Sequence, residues 1–155
     1  MKKELVIQFA QFKGLSEINP EDQALLIEAK KQHLNAYAPY SKFKVGAAVR
    51  LQNTLVVGGN NQENAAYPSG LCAERVALFA AAAKFPKAKI NAIAIYANSM
   101  NSSTVLSPCG ACRQVMQEYE NRQGKFYKVL LMDQEENITL FNSCADLLPL
   151  AFQLG

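Results

Sequence analysis

The sequence predicts a three-layer α/β domain built around a sheet of about five strands. Two observations lead to this fold class. Segments with the spacing or composition of helices alternate along the chain with short apolar segments that are typical of strands. The length of 155 residues also suits one domain over residues 1–155 that buries a sizeable hydrophobic core.

The first half of the chain is predicted to contain one helix and three strands. The helix begins at Asn19, which can cap it, and Pro20 suits its first position. The apolar stripe of this helix comprises Leu25, Leu26, Ala29 and Leu34. The predicted segments are a strand at 5–12, the helix to about residue 35, and strands at 43–50 and 54–58 joined by a turn at 52–53.

The second half is predicted to contain three helices and three strands. Residues 72–84 and 109–121 are strong helix formers, and each segment opens with a cysteine. Polar loops are expected at 59–70 and 98–107. The remaining predicted segments are strands at 90–96, 128–132 and 138–141, and a short C-terminal helix at 144–152 that is interrupted near Pro149.

The charge and hydropathy of the chain argue against several function classes. The net charge is +3, and the basic residues form no run of five or more, which favours a solvated surface over a nucleic-acid-binding face. The start does not resemble a signal peptide, and no apolar run approaches the ~20 residues that span a bilayer. We therefore expect a cytoplasmic protein without a membrane or nucleic-acid partner, whose cysteines stay reduced and serve metal binding or catalysis.

Two short segments carry the chemistry: Cys72-Ala73-Glu74-Arg75 and Pro108-Cys109-Gly110-Ala111-Cys112-Arg113. Each opens a predicted helix, and a helix N-terminus lowers the pKa of a thiol because it favours the thiolate. Three protein ligands with a fourth position left open are typical of catalytic zinc. We therefore predict that Cys72, Cys109 and Cys112 bind one Zn²⁺ ion.

Two other uses of these cysteines remain open at this point. A closed structural zinc site would need a fourth ligand, and the chain offers Cys144 or His33. Cys144 has no nearby cysteine partner and is expected to be an apolar or half-buried thiol, and His33 is expected to face solvent on its helix. A thioredoxin-type redox pair would use only Cys109 and Cys112, and it would leave Cys72 and Glu74 without a role.

Glu74 lies two residues after Cys72, on the same predicted helical turn. Its carboxylate can reach the open side of the metal and move protons to and from a zinc-activated water. The alternative is an N-terminal Glu that only suits the helix dipole. Arg75 is expected to donate hydrogen bonds to a thiolate sulfur, or else to form a surface ion pair, and Arg113 is expected at the surface.

The combination of Cys-x-Glu and Pro-Cys-x-x-Cys is the all-cysteine form of the zinc deaminase signature. Together with three further motifs, it makes the chain resemble the free-nucleoside cytidine deaminases over residues 20–152. Those motifs are residues 40–48 (YSKFKVGAA), 61–67 (NQENAAY) and 147–152 (LLPLAF). The segment before Asn19 is longer than expected for a compact member of the family, and the loop at 98–106 also looks somewhat longer than expected.

The resemblance implies a cytidine-deaminase-like α/β/α fold with a mixed sheet, and a hydrolytic reaction. Water activated by zinc attacks C4 of cytosine, Glu74 protonates N3 and then the leaving amine, and uridine and ammonia result. The backbone of Ala73 and the carbonyl of Ser107 are implied to hold the base edge. Asn61 and Glu63 are implied to bind the ribose hydroxyls.

The resemblance further implies that Phe43 packs on the nucleoside and that the protein is a homotetramer. Tyr67 and Phe152 match positions that reach across the interface of such an assembly. Simpler roles stay open: Phe43 could belong to the core, Asn61 could be a turn residue, and Phe152 could dock on its own domain.

Three other functions are weighed against a free-nucleoside deaminase. A polynucleotide deaminase is disfavoured because Cys72 takes the place of the usual His ligand, and because Glu63 would repel phosphate. A deaminase of a cytosine-bearing nucleoside antibiotic would have the same zinc core. A non-catalytic, zinc-stabilised module would leave Glu74 dispensable.

Overall fold

A computed structural model describes residues 1–98 and 105–154. Its core is a six-stranded mixed sheet in the order β1-β6-β5-β4-β2-β3. The strands are β1 (Ala10–Lys13), β2 (Val45–Leu51), β3 (Val56–Asn60), β4 (Ile90–Ala97), β5 (Lys128–Met132) and β6 (Asn137–Phe141). The helices are α1 (Pro20–Leu34), α2 (Ala73–Lys84) and α3 (Gly110–Gln123). The predicted α/β class is confirmed, with six strands where about five were expected.

The strand directions place α2 and α3 side by side. Strands β4 and β5 are parallel, whereas β2 is antiparallel to both of its neighbours, β3 and β4. Strands β3, β4 and β5 therefore all run in the same direction. Because α2 follows β3 and α3 follows β4 along the chain, both helices begin at the edge of the sheet where these strands end. Ligand sites of α/β sheets form at this edge.

The sheet buries both of its faces, and successive side chains of each central strand enter different halves of the core. Ile93 and Ile95 of β4 pack in the half that contains α2 and α3. Ala92 and Ala94 pack in the other half, which contains α1. Strands were predicted at 90–96 and 128–132, the second of them as an apolar run suited to a buried strand, and both are present and largely buried.

Two glycines allow the helices to lie very close to the sheet. A Cβ atom at Gly46 of β2 would lie 2.0 Å from the backbone oxygen of Ala29 in α1. A Cβ atom at Gly59 of β3 would lie 2.5 Å from the backbone nitrogen of Ala77 in α2. Any side chain at either position would push a helix away from the sheet. Gly59 therefore sets the depth at which α2 packs.

The helix ends follow the local sequence closely. The Asn19 side chain accepts a hydrogen bond of 3.0 Å from the Asp22 backbone N–H and caps α1, as the sequence predicted. Helix α3 ends at Gln123. Its C-cap residue is Gly124, whose φ of 62° is the left-handed conformation that glycine adopts without strain. Within residues 1–98 and 105–154, no helix combines the length and the apolar character needed to cross a membrane.

Three sequence predictions about the elements are corrected. The first strand spans Ala10–Lys13 rather than 5–12, because Ala10 pairs with Leu140 and only Phe141 of β6 remains beyond that pair for the residues before Ala10. The C-terminal helix is a single 3₁₀ turn at Cys144–Asp146, since Pro149 disfavours helical backbone in the residue before it. Leu34, in the last turn of α1, is 69% exposed and lies outside the core.

The predicted loop at 98–107 is described only in part, because residues 99–104 lie outside the described residues. The prediction that the loop at 98–106 is unusually long therefore also concerns mainly residues outside the described ones. The polar segment at 59–70 is largely irregular, with one short 3₁₀ turn at Tyr67–Ser69.

A buried carboxylate joins α1 to the sheet. Asp22 is fully buried and accepts hydrogen bonds from Arg50 of β2 at 2.7 Å and from Lys128 of β5 at 2.9 Å. Burial alone would raise the pKa of Asp22, but the hydrogen bonds from Lys128 and Arg50 outweigh it, so the pKa lies below its ordinary value. The ion pairs therefore stabilise the folded state only while Asp22 is ionised.

We predict that Asp22→Asn lowers the free energy of unfolding at pH 7 by about 3 kcal/mol. This is the lower end of the range for breaking a buried ion pair, because Lys128 can still reach water. A depressed folded-state pKa stabilises the protein above the unfolded-state pKa of about 3.9. This contribution is lost as the pH falls through the folded-state value, so the deficit of the variant should shrink below pH 4. Urea unfolding at several pH values measures it, with Glu21→Gln in the same helical turn as the control, and a deficit that does not vary with pH would contradict the prediction.

Candidate active site

Three thiols meet where α2 and α3 begin. Cys72 is the N-cap residue of α2, Cys109 is the N-cap residue of α3, and Cys112 lies in the first turn of α3. Their Sγ atoms all lie within 4.8 Å of one another, and those of Cys72 and Cys109 are 3.8 Å apart. Two segments that are distant in sequence thus supply one cluster of soft donors.

The spacing of these sulfurs fits zinc. A tetrahedral ion with Zn–S bonds of about 2.3 Å places its sulfurs roughly 3.8 Å apart. The Cys72–Cys109 separation has this value, and Cys112 needs only a small adjustment. Both helix N-termini also direct their positive ends at the cluster, which favours thiolates.

The cluster offers three potential metal ligands, and the fourth-ligand candidates lie elsewhere. Among the described residues, the cluster contains only Cys72, Cys109 and Cys112. Cys144 was expected to be an apolar or half-buried thiol; it lies fully buried in the core, and burial raises the pKa of its thiol. The prediction that His33 faces solvent is wrong, because its ring is half-buried and packs edge-on against Tyr96, with the ring centroids 5.0 Å apart.

Arg75 places a positive charge beside the thiols. Its Nη2 atom lies 3.7 Å from the Cys72 Sγ atom, within hydrogen-bonding distance for sulfur. Hydrogen bonds from Cys112 and then from Arg75 hold the pKa of Cys72 well below its usual value. The guanidinium therefore offsets part of the negative charge that three thiolates bring to one ion.

Glu74 lies inside the site rather than at its rim. Its side chain is buried, with only 5% exposed, in the first turn of α2. Burial raises the pKa of Glu74 to about 7, and the nearby Cys72 charge adds to the increase, whereas a hydrogen bond with Cys112 opposes it. A carboxyl group with a pKa near neutrality can both accept and release a proton.

A cleft of about 540 Å³ leads away from the thiols. Cys72 and Arg75 line one part of it, and Tyr40, Ser41 and the segment that contains Asn61, Glu63 and Tyr67 line the rest. The volume falls within the range of small-molecule pockets. Five predicted site residues thus share one cavity: Asn61, Glu63, Tyr67, Cys72 and Arg75.

Two polar side chains of this cleft, those of Asn61 and Glu63, form hydrogen bonds with residues 40–45. Asn61 donates from Nδ2 to the Phe43 carbonyl at 2.8 Å and accepts from the Val45 N–H at 2.8 Å. Glu63 accepts hydrogen bonds from the Ser41 hydroxyl and from the Tyr40 and Ser41 backbone N–H groups. The Ser41 hydroxyl bond is the main reason that the pKa of Glu63 is lowered. Both residues therefore fix the segment between α1 and β2 that carries Phe43.

The other predicted substrate-binding residues, Phe43, Ala73, Ser107 and Phe152, do not line this cleft. Ala73 is fully buried at the first position of α2, and Ser107 is exposed just before the second motif. Phe43 is joined to the cleft through its hydrogen bond with Asn61. Tyr67 is 75% exposed and Phe152 is 69% exposed, so neither ring is buried by its own chain.

Arg113 has a structural role that its position in the sequence does not indicate. This side chain was expected at the surface, but it is half-buried and makes three hydrogen bonds. Its acceptors are the Pro108 carbonyl, the Ser107 hydroxyl and the Leu147 carbonyl. The first two lie close enough in sequence to have been considered, whereas nothing in the sequence indicates a contact with Leu147.

Comparison with known proteins agrees with this site. Residues 19–128 match a protein family described as the cytidine and deoxycytidylate deaminase zinc-binding region. The chain belongs to this family. The resemblance inferred from the motifs is thus confirmed, and this deaminase-family chain is an enzyme, a hydrolase, with Zn²⁺ as its cofactor.

Similar proteins cover most of the chain. A cytidine deaminase of Sporosarcina psychrophila is 40% identical over 130 residues, which span 84% of this chain and 90% of that protein. A cytidine deaminase of Halalkalibacterium halodurans is 41% identical over 130 residues, 84% of this chain and 92% of that protein. The crystal structure of a cytidine deaminase from Burkholderia pseudomallei is 41% identical, has a TM-score of 0.73, and covers 83% of this chain and 97% of its own.

We predict that replacing any one of the three cysteines with Ser lowers the zinc content well below one ion per chain, because two thiolates hold zinc far less tightly than three. Cys144→Ala, which removes the buried thiol outside the cluster, should retain one ion. Metal analysis after dialysis measures the content. Full zinc content in Cys72→Ser would show that this residue is not a ligand.

Proposed function

We propose that this enzyme hydrolyses free cytidine and 2′-deoxycytidine to uridine and 2′-deoxyuridine, with release of ammonia, in pyrimidine salvage. The observation that carries the proposal is the buried carboxyl of Glu74 beside three converging thiols, at the end of a cleft of nucleoside size. The zinc deaminase reaction needs a metal and a carboxylate that is not itself a ligand. Glu74 meets the second requirement.

Glu74 is the proposed proton carrier. Bound zinc would supply Lewis-acid activation of the attacking water. Glu74 accepts one proton from that water and transfers it to N3 of cytosine. It then carries the second proton to the amino group at C4, which leaves as ammonia. One water is consumed and one ammonia is released, so Glu74 ends in the protonation state in which it began.

The backbone at the two helix starts is proposed to hold the base. The first N–H groups of a helix have no partner within the helix, which leaves the Ala73 N–H free to bind an acceptor on the base. The Ser107 carbonyl is proposed to accept from the amino side of the base. The Phe43 ring would then pack on the nucleoside.

Asn61 and Glu63 are proposed to bind the ribose hydroxyls. Each keeps hydrogen-bonding capacity after its internal contacts: Asn61 retains one N–H and one lone pair, and Glu63 retains about one lone pair, on Oε1. The lowered pKa of Glu63 keeps it ionised at neutral pH. A negative charge at this place favours a free nucleoside over a nucleotide, because it repels phosphate.

We also propose a homotetramer in the reducing cytoplasm, with residues 1–155 as one domain. The exposed rings of Tyr67 and Phe152 are available to complete the clefts of neighbouring subunits. The metal site needs free thiols, which a reducing compartment preserves. Strands β1 and β6, which lie nearest the two ends of the chain, pair with each other in the same sheet, which supports a single domain.

We predict that Glu74→Gln abolishes the conversion of cytidine to uridine, with a loss of about 10²–10⁴-fold or more, because an amide cannot carry protons. Ultraviolet absorbance follows the conversion, with both proteins at equal zinc content. Glu118→Gln, on the exposed face of α3, is the control and should retain activity. Full activity of Glu74→Gln would contradict the proposed mechanism, and no conversion by zinc-loaded wild type would contradict the proposed substrate.

We predict that the enzyme turns over cytidine far faster than deoxycytidylate at limiting substrate. Glu63→Gln should raise the KM for cytidine by roughly 10-fold or more, since it loses a charged hydrogen bond. It should also reduce the ratio of kcat/KM for cytidine to kcat/KM for deoxycytidylate. Steady-state kinetics with cytidine, deoxycytidylate and a cytosine-bearing antibiotic measure this. If kcat/KM were higher for deoxycytidylate or for the antibiotic than for cytidine, that compound would become the proposed substrate in place of cytidine.

A further inference from the structure

The Arg113 side chain joins two parts of the chain that are distant in sequence. It lies in the first turn of α3, directly after Cys112. Its Nε atom donates to the Pro108 carbonyl at 2.8 Å and its Nη2 atom donates to the Ser107 hydroxyl at 2.7 Å. Its Nη1 atom donates to the Leu147 carbonyl at 3.2 Å. One planar, permanently charged group therefore binds the segment before Cys109 and the segment after β6 together.

The geometry of a guanidinium makes this connection rigid. Its five N–H donors have fixed directions, so three acceptors on two segments are held in one relative position. A lysine has a single donor point and could satisfy only part of this set. Pro108 is buried, so the loss of Arg113 would leave its carbonyl without this partner in a place where water enters poorly.

The C-terminal segment depends on a few such contacts. Residues 147–152 form no helix or strand, and most of them are partly or fully exposed. The Gln114 side chain donates to the Phe152 carbonyl at 3.0 Å, so adjacent residues of α3 hold both ends of this segment. Upstream, the buried Glu120 carboxylate accepts from the Ser143 hydroxyl at 2.5 Å and from the Cys144 N–H at 3.0 Å. Three residues of α3 thus anchor the chain between Ser143 and Phe152.

We propose that Arg113 is a positioning residue that couples the docking of residues 147–152 to the geometry of Ser107 and Cys109. It touches neither the substrate nor the metal. It acts through Ser107, whose carbonyl is proposed to hold the base, and through Pro108, which precedes a metal ligand. The kinetic part of this inference rests on the proposed function, whereas the coupling of the two segments does not.

The experiment compares Arg113→Met, Arg113→Lys and Gln114→Ala with Arg122→Met, which removes an arginine at the far end of α3. Three properties are measured on zinc-loaded protein: the rate of zinc loss to a chelator, amide hydrogen exchange of residues 105–109 and 147–152, and kcat and KM for cytidine. Amide exchange and zinc loss require no substrate. They therefore test Arg113 even if cytidine is not turned over, an outcome that would contradict only the proposed function.

We expect Arg113→Met to lose zinc about 10-fold faster and to raise KM by about 10-fold or more, as a small misplacement of binding groups does. Exchange should rise in both segments together. Arg113→Lys should lie between Arg113→Met and wild type, and it serves alone if Arg113→Met does not fold. Gln114→Ala should raise exchange only in residues 147–152. Exchange that rises in one segment only in an Arg113 variant, or zinc loss and KM within twofold of Arg122→Met, would overturn the proposal.

Discussion

The close placement of two helix N-termini is the constraint on which the rest of the site depends. Strands β3, β4 and β5 share one direction, so α2 and α3 begin at the same edge of the sheet. Gly59 allows α2 to approach closely enough for Cys72 to meet the thiols of α3. Three thiolates repel one another, and the two helix dipoles, together with Arg75, offset that repulsion. The packing of the two helices and the electrostatic stabilisation of the thiolates therefore both depend on where the helix N-termini lie.

The central elements could be predicted from the sequence because their signals are local. The apolar strands β4 and β5 and the cysteine-initiated helices α2 and α3 are recognisable from composition alone. The two ends of the chain could not be predicted as well. The position of β1 depends on where β6 ends, and the C-terminal helix is cut short by Pro149 and by contacts with α3. Distant partners decided the first outcome and, together with the local effect of Pro149, the second.

The same distinction applies to the candidate site. The metal-ligand candidates and Glu74 could be predicted because a thiol or carboxylate in the first turn of a helix has little freedom in where it points. The environments of His33 and Arg113 could not be predicted. His33 packs on a strand residue, Tyr96, and Arg113 bonds to Leu147, 34 residues away. A histidine or arginine in a helix is consistent with many surroundings until the partner segment is known.

Under the proposed function, the polar residues of the cleft combine a structural role with the binding of the nucleoside. Asn61 and Glu63 spend much of their hydrogen-bonding capacity on the segment that carries Phe43. Their side chains are therefore already ordered before a nucleoside arrives, so binding loses less conformational entropy than it would with free side chains. In the proposed binding mode, a substitution at Asn61 or Glu63 also loosens the segment that carries Phe43, so nucleoside affinity and cleft shape change together at these positions.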